Sequence, residues 1–336
     1  PLPAKRAKEG ERAAARLEAR RRAEALIAEG RLADAAALIP KALDVTPAMA
    51  HEFIRVLRRE RIQFIVAPYE ADAQLAYLDR TGAVDAIISE DSDLLLFGCR
   101  RLLFKLDRTG HYDEVRLERL SACRDLDLHG LGLRRFRQMC ILSGCDYLPA
   151  LPGIGLRTAY KYLLKYHSIE RVLQVLRAEG ILVDEKGDYE VAFQKAELTF
   201  SHQRAYCPKE RRLVHLCPLD QNTFPFEEDA FLGPMLPDEV AIGIAEGRLC
   251  PVSYEPFVKP VKTVPRPDPG PAVKSPYFAG NVQSSTARVT LKRTYAGPAA
   301  VTDLHALYFP ATATATGTAR PGKRKTIRDY FKAISE

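Results

Sequence analysis

Ala86-Ile-Ile-Ser-Glu-Asp-Ser-Asp-Leu-Leu-Leu-Phe97 sets three carboxylates, Glu90, Asp91 and Asp93, inside an otherwise apolar run. Burying a carboxylate without a compensating charge is very costly. The run therefore predicts a short interior strand, Ala86 to Ser89, that opens into an acidic cluster. A divalent cation is the usual compensation for such a cluster. The i, i+2 spacing of Asp91 and Asp93 turns both the same way if the backbone stays extended.

Two flanking segments repeat the pattern. Upstream, Ile62 to Ala67 reads as a buried strand, and Pro68-Tyr-Glu-Ala-Asp-Ala-Gln-Leu-Ala-Tyr77 follows it. Glu70 and Asp72 fall where that strand hands over to a helix over Ala71 to Leu78. Ligands of open α/β sheets bind at the carboxyl ends of strands. Downstream, Leu142-Ser-Gly-Cys-Asp-Tyr-Leu148 puts Asp146 just past an apolar helix. Glu70, Asp72, Asp91, Asp93 and Asp146 thus stand at three element ends, with no Lys or Arg beside them to neutralise them. Hard oxygen donors of this kind suit Mg²⁺ or Mn²⁺. A pair of such ions serves phosphodiester hydrolysis. Taken one at a time, each acid reads as an ordinary surface group.

Strands alternating with helices, including Arg101 to Leu106, predict an α/β fold with a mainly parallel sheet flanked by helices. Residues 4 to 29 are rich in Ala, Glu, Lys and Arg and predict a long helix stopped at Gly30. Lys8, Arg12, Arg16 and Arg20 form one basic stripe along it. Such a stripe either makes intrahelical ion pairs or meets a phosphate backbone. Further helices are expected over Leu32 to Leu43, from the Thr46-Pro47 cap to about Glu60, and over Phe136 to Leu142, Leu156 to Tyr166, Ile169 to Glu179 and Tyr189 to Ala205. Leu151-Pro-Gly-Ile-Gly155 ahead of a helix predicts a tight turn whose backbone N–H groups, with the helix dipole, hold a phosphate. Gly153, Ile154, Gly155 and then Lys161 and Lys165 are the candidate contacts.

The 336 residues are 46% apolar, enough for a sizeable core, and the formal net charge of +7 suggests a polyanionic partner, nucleic acid first. Seven scattered cysteines form no Cys-x-x-Cys pair or Cys/His cluster, which argues against a zinc site and fits a reducing compartment. No apolar run approaches the 18 residues of a membrane span. After Phe257 the chain turns to Pro, Thr, Ala, Ser and Lys, the composition of a disordered tail.

Pro68 to Leu78, Glu90-Asp-Ser-Asp-Leu94 with Phe97-Gly-Cys99, Met139-Cys-Ile-Leu-Ser-Gly-Cys-Asp-Tyr-Leu148 and Gly153-Ile-Gly155 together resemble the flap endonuclease (xeroderma pigmentosum group G) superfamily, and within it the exonuclease I branch. Tyr69-Glu-Ala-Asp72 stands where flap endonucleases proper more usually carry Ser-Glu-Ala-Glu. The resemblance covers about residues 1 to 255. It implies a PIN-like 5′ nuclease fold over 1–130 with a helical arch over 1–45, a helix-two-turn-helix DNA-binding region over 131–257, and a tail over 258–336. It also implies a Mg-dependent 5′→3′ exodeoxyribonuclease of mismatch repair, acting in the nucleus on double-stranded DNA with nicks, ends or 5′ flaps.

By the same resemblance Glu70, Asp72, Asp91, Asp93 and Asp146 would be metal ligands, and Lys5 and Arg12 would steer the scissile phosphate, with Arg16 further along the DNA path. Backbone carbonyls of Ser143, Ala150 and Ile154 would hold a monovalent cation such as K⁺. In the tail, Lys274-Ser-Pro-Tyr-Phe278 is similar to a MutL-homologue-binding motif anchored by Tyr277 and Phe278. Arg324-Lys-Thr-Ile-Arg-Asp-Tyr-Phe331 has the spacing of a sliding-clamp motif through Ile327, Tyr330 and Phe331, with Arg324 in place of the usual Gln. The family's nuclease domain begins upstream of Pro1 with a strand and two more acidic ligands. The expectation is therefore an incomplete nuclease, poorly folded or catalytically crippled. The competing expectations are a non-catalytic DNA-binding or scaffold fragment and a structure-specific flap endonuclease.

Overall fold

Strong helix formers set the first third of the chain. The computed structural model describes residues 2–257 apart from 124, 185, 186, 221–224 and 227. A 3₁₀ turn over Pro3–Lys5 leads into α1 (Arg6–Ala28), which ends before Gly30 at φ +77°. A left-handed residue is the ordinary way to stop a helix, and Gly adopts it without strain. Helix α2 (Leu32–Ala42) packs back along α1, with Ala23 and Ala35 buried. Helix α3 (Pro47–Arg59) starts with Pro47 in its first turn, and the Met49 N–H donates to Thr46 Oγ1 at 3.3 Å.

Ile62 to Ala67 forms no ladder among the described residues, contrary to the strand expected there. An extended apolar run becomes a strand only beside a partner. Here the Val66 N–H instead donates to the Ala245 carbonyl at 3.0 Å. The next elements follow the expected order: α4 (Ala71–Arg80), β1 (Ile87–Ile88), a 3₁₀ turn over Ser92–Leu95, and β2 (Arg101–Phe104). Strands β1 and β2 pair in parallel, Ile87 with Leu102 and Ile88 with Leu103.

The sheet is nevertheless mixed. Strand β3 (Asp113–Arg116) runs antiparallel to β2, giving the order β1-β2-β3. A short turn dictates that direction, because a parallel return needs a long crossover. Asp107 caps it, its Oδ1 accepting the N–H groups of Thr109 and His111. The expected helix over Tyr189 to Ala205 also stops early. It spans Asp188–His202 as α8, after α5 (Gly132–Leu142), α6 (Leu156–Tyr166) and α7 (Ile169–Ala178). Gln203 turns extended, and β4 (Arg204–Cys207) pairs antiparallel with β5 (Arg212–His215). Pro208 cannot continue a helix, and burial of all four β4 residues rewards the hairpin. Helix α9 (Asp238–Ala245) packs on β5.

One interior draws residues from both sides of residue 130. Leu94 to Phe97, Leu102 and Phe104 meet Phe136, Met139, Cys140, Ile141 and Leu142 of α5, together with residues of α6, α7 and α8. Every α5 residue from Phe136 to Leu142 is buried. That helix fixes where Asp146 can lie. Its exit is equally constrained, because Gly144 sits at φ +102° and a Cβ there would fall 2.9 Å from both N and Cβ of Ala150. Gly144→Ala is expected to destabilise the fold by about 2 kcal/mol or more, read as a lowered midpoint in urea denaturation.

Candidate metal centre

Each acidic residue is placed by a local feature. Glu70 is the residue before α4, in extended conformation, and Asp72 lies in the helix's first turn, where a negative charge suits the dipole. Asp91 precedes the 3₁₀ turn, and its Oδ1 accepts the Asp93 N–H at 3.0 Å. The backbone therefore bends between the two aspartates rather than running extended through both. Asp146 follows the turn that closes α5, where the Cys145 N–H donates to the Leu148 carbonyl at 2.8 Å. Glu90 stands apart at the surface, accepting the Lys105 N–H at 2.7 Å.

These side chains share one electrostatic field. Burial and then the charges of Asp91 and Glu70 push the Asp72 carboxyl up to about 6. Burial, then Asp91, Asp146 and Asp72, push Asp93 up to about 7. Like charges in a dry site cannot all ionise at ordinary carboxylate values. Asp146 moves the other way. Burial would raise it, but Lys5 and Arg12 hold it below the usual range.

Those two cations correct the expectation that no Lys or Arg stands beside the cluster. Lys5 Nζ lies 2.8 Å from Glu70 Oε1 and 3.0 Å from Asp146 Oδ2. Arg12 donates to Asp146 Oδ2 at 2.9 Å and also pairs with Glu9. Burial would lower the Lys5 ammonium, but Glu70 and then Asp146 hold it well above its ordinary value. The rest of the α1 stripe is paired elsewhere: Lys8 with Glu11, Arg20 with Glu24, and Arg16 with Asp44 at 3.4 Å.

The donors fit a hard divalent cation in kind and in charge. Asp72 and Asp93, under the charges of neighbouring acids, are driven toward the neutral form. Among the described residues no group of three or more His, Cys, Asp or Glu side chains converges closely enough to hold an ion in this arrangement. Lys5 and Arg12 supply the positive charge instead.

Two further residues, neither singled out by the sequence, brace Glu70. The Tyr147 hydroxyl and the Gln203 amide Nε2, the latter at 3.0 Å, both donate to Glu70 Oε2. Tyr147 follows Asp146 directly, which was an available signal. Gln203 offered none.

The Leu151 to Gly155 turn forms as expected. The Ile154 N–H donates to the Leu151 carbonyl at 3.1 Å, Gly153 takes φ +82°, and Gly155 precedes α6. Ile154 is buried, whereas Lys161 and Lys165 are exposed on α6. Gly144 lies close against Ala150 ahead of this turn. Tyr277, Phe278, Ile327, Tyr330 and Phe331 lie outside the described residues.

The XPG I-region family model matches residues 61–146, a span that contains all five acids and ends on Asp146. Over that span the chain is similar to the XPG I-region family. Its relatives include exonuclease 1 of Arabidopsis thaliana, 45% identical over 257 residues, covering 76% of this chain and 34% of that protein. Exodeoxyribonuclease 1 of Schizosaccharomyces pombe is 42% identical over 253 residues, covering 75% of this chain and 44% of that protein. The chain thus spans a third to under a half of the length of these curated relatives. Among solved structures, flap endonuclease-1 from Methanococcus jannaschii aligns at 26% identity and a TM-score of 0.36, over 47% of this chain and 44% of that one. A catalytic core of Rad2 in complex with DNA aligns at 23% and 0.38, over 60% and 70%.

Proposed function

We propose that this chain is the nuclease portion of a Mg²⁺-dependent 5′→3′ DNA exonuclease, with Mn²⁺ as the substitute ion. The observation that carries the reading is that Asp91, Asp146 and Glu70, from three element ends within the XPG I-region, act on Asp72, and Asp91 and Asp146 act on Asp93. Relatives named exonuclease 1 support the activity, and one named exodeoxyribonuclease 1 supports the DNA substrate.

Mg²⁺ held by that cluster would supply the Lewis acidity that phosphodiester hydrolysis requires. The chain's own part is to hold and to steer. Lys5, from the 3₁₀ turn before α1, and Arg12, from α1, reach the centre and would transfer from Glu70 and Asp146 to the oxygens of an arriving scissile phosphate. Arg16 would follow the strand along the same helix. Backbone N–H groups of Gly153 and Gly155, with Lys161, would hold phosphates of the duplex without reading bases, while the Ile154 N–H closes the turn on Leu151. A K⁺ ion on the carbonyls of Ser143, Ala150 and Ile154 would stiffen that turn. Contacts of the tail with a MutL homologue and a sliding clamp, and a nuclear location, complete the mismatch-repair reading.

DNA binding without cleavage is a second reading, and the ion pairs of Lys5 with Glu70 and Asp146 favour it, since they claim two of the acids. The experiment offers the chain nicked, recessed and 5′-flapped duplexes in Mg²⁺ and follows both binding and cleavage. The exonuclease reading predicts mononucleotide release from nicked and recessed 5′ ends. Binding without release would establish the second reading, and a strong preference for flaps would mark a structure-specific endonuclease.

A further inference from the structure

Two glutamines are buried beside β4, and they are not equivalent. Gln74 of α4 has both amide atoms satisfied by the backbone: Nε2 donates to the Tyr206 carbonyl at 2.9 Å and Oε1 accepts the Tyr206 N–H at 2.8 Å. That side chain staples α4 to β4. Gln203, at 0% exposure, donates Nε2 to Glu70 Oε2 at 3.0 Å, and its Oε1 is buried without a protein partner. The orientation is not arbitrary. A carboxylate only accepts, so the amide must turn its nitrogen toward Glu70, and the open atom must be the carbonyl oxygen.

A buried acceptor left open is disfavoured, and an apolar side chain would avoid the loss. A buried amide at this place is explained by what its nitrogen holds, Glu70 Oε2. The other half of the argument lies on Glu70. Gln203 and Tyr147 both claim Oε2, which leaves Oε1 as the oxygen that meets a cation, here the Lys5 ammonium at 2.8 Å. Ligating carboxylates are commonly held by outer hydrogen bonds in this way.

We propose that Gln203 is a positioning residue of the carboxylate centre. With Tyr147 it pins Glu70 through Oε2 so that Oε1 faces the cation. The inference rests on the nuclease reading above.

The test compares Gln203→Leu, Gln203→Met and Gln74→Leu in the whole chain. It measures Mn²⁺ affinity by calorimetry without DNA, the Mg²⁺ concentration at half-maximal cleavage, KM for duplex and the thermal midpoint. Both Gln203 variants are expected to weaken Mn²⁺ binding about 10- to 100-fold and to shift the Mg²⁺ requirement upward in step. KM for DNA should stay within about twofold. Gln74→Leu should lower the thermal midpoint and leave Mn²⁺ affinity within about twofold. Unshifted Mn²⁺ affinity in a folded Gln203 variant overturns the inference, as does an equal shift in Gln74→Leu. Absence of Mn²⁺ binding in the wild type overturns the nuclease reading as well, which separates the two failures.

Discussion

Asp93→Asn is expected to raise the thermal midpoint of the metal-free chain at pH 8 while removing cleavage. Burial and the charges of Asp91, Asp146 and Asp72 hold the Asp93 carboxyl up at about 7. An acid whose folded pKa lies above its unfolded value near 4 binds protons more tightly in the folded state. It therefore costs no stability below about pH 4. The cost grows as pH rises and is complete above about 7. Asn keeps the shape and removes the charge. The gain should be on the order of 1–4 kcal/mol at pH 8, or several degrees, and should fade as the pH approaches 5. Differential scanning calorimetry in EDTA checks this, and a variant no more stable than wild type at pH 8 would contradict it. Loss of cleavage should exceed about a thousandfold, because charge stabilisation by a bound ion carries much of the barrier.

Lys5→Met should act in the opposite sense on stability and the same sense on activity. Removing the ammonium leaves Glu70 and Asp146 facing each other across a partly buried site. Breaking a fully buried pair costs about 3–5 kcal/mol, and partial exposure here reduces that to about 1–3 kcal/mol. A divalent cation would restore the missing charge. Millimolar Mg²⁺ should therefore stabilise Lys5→Met more than it stabilises wild type, since ligand linkage grows with affinity for the folded state. Cleavage should still fall at least about a hundredfold, because no ammonium remains to meet the phosphate. Equal Mg²⁺ stabilisation of both proteins would show that Lys5 and the ion do not compete for the same oxygens.

The two proteins would thus bracket the same site from its acidic and its basic side. One loses excess negative charge and gains stability, and the other loses the compensating charge and becomes ion-dependent. A trade of this kind, in which groups kept for chemistry weaken the fold, is a common property of active sites.

Much of this was legible in the residues. The five acids stand out because each interrupts an apolar run at an element end, and Leu156–Tyr166 is marked by Gly155 before it. What escaped is long-range. Arg12 meets Asp146 across 134 residues and Gln203 meets Glu70 across 133, and no local pattern announces such contacts. Strand β3 was missed because Asp113-Glu-Val-Arg116 is charged and shows little alternation. The opposite error, a strand over Ile62 to Ala67, came from treating apolar content as pairing. Strands need neighbours, and neighbours are a property of the whole fold.

The account is tested most directly by incubating 5′-labelled duplex DNA with the chain in Mg²⁺ or in EDTA, beside the Asp91→Ala, Asp93→Ala double variant. It predicts release of the labelled 5′-terminal mononucleotide in Mg²⁺ alone, no release by the double variant, and DNA binding retained by both proteins. Release that persists in EDTA, or in the double variant, would contradict a carboxylate-held metal centre.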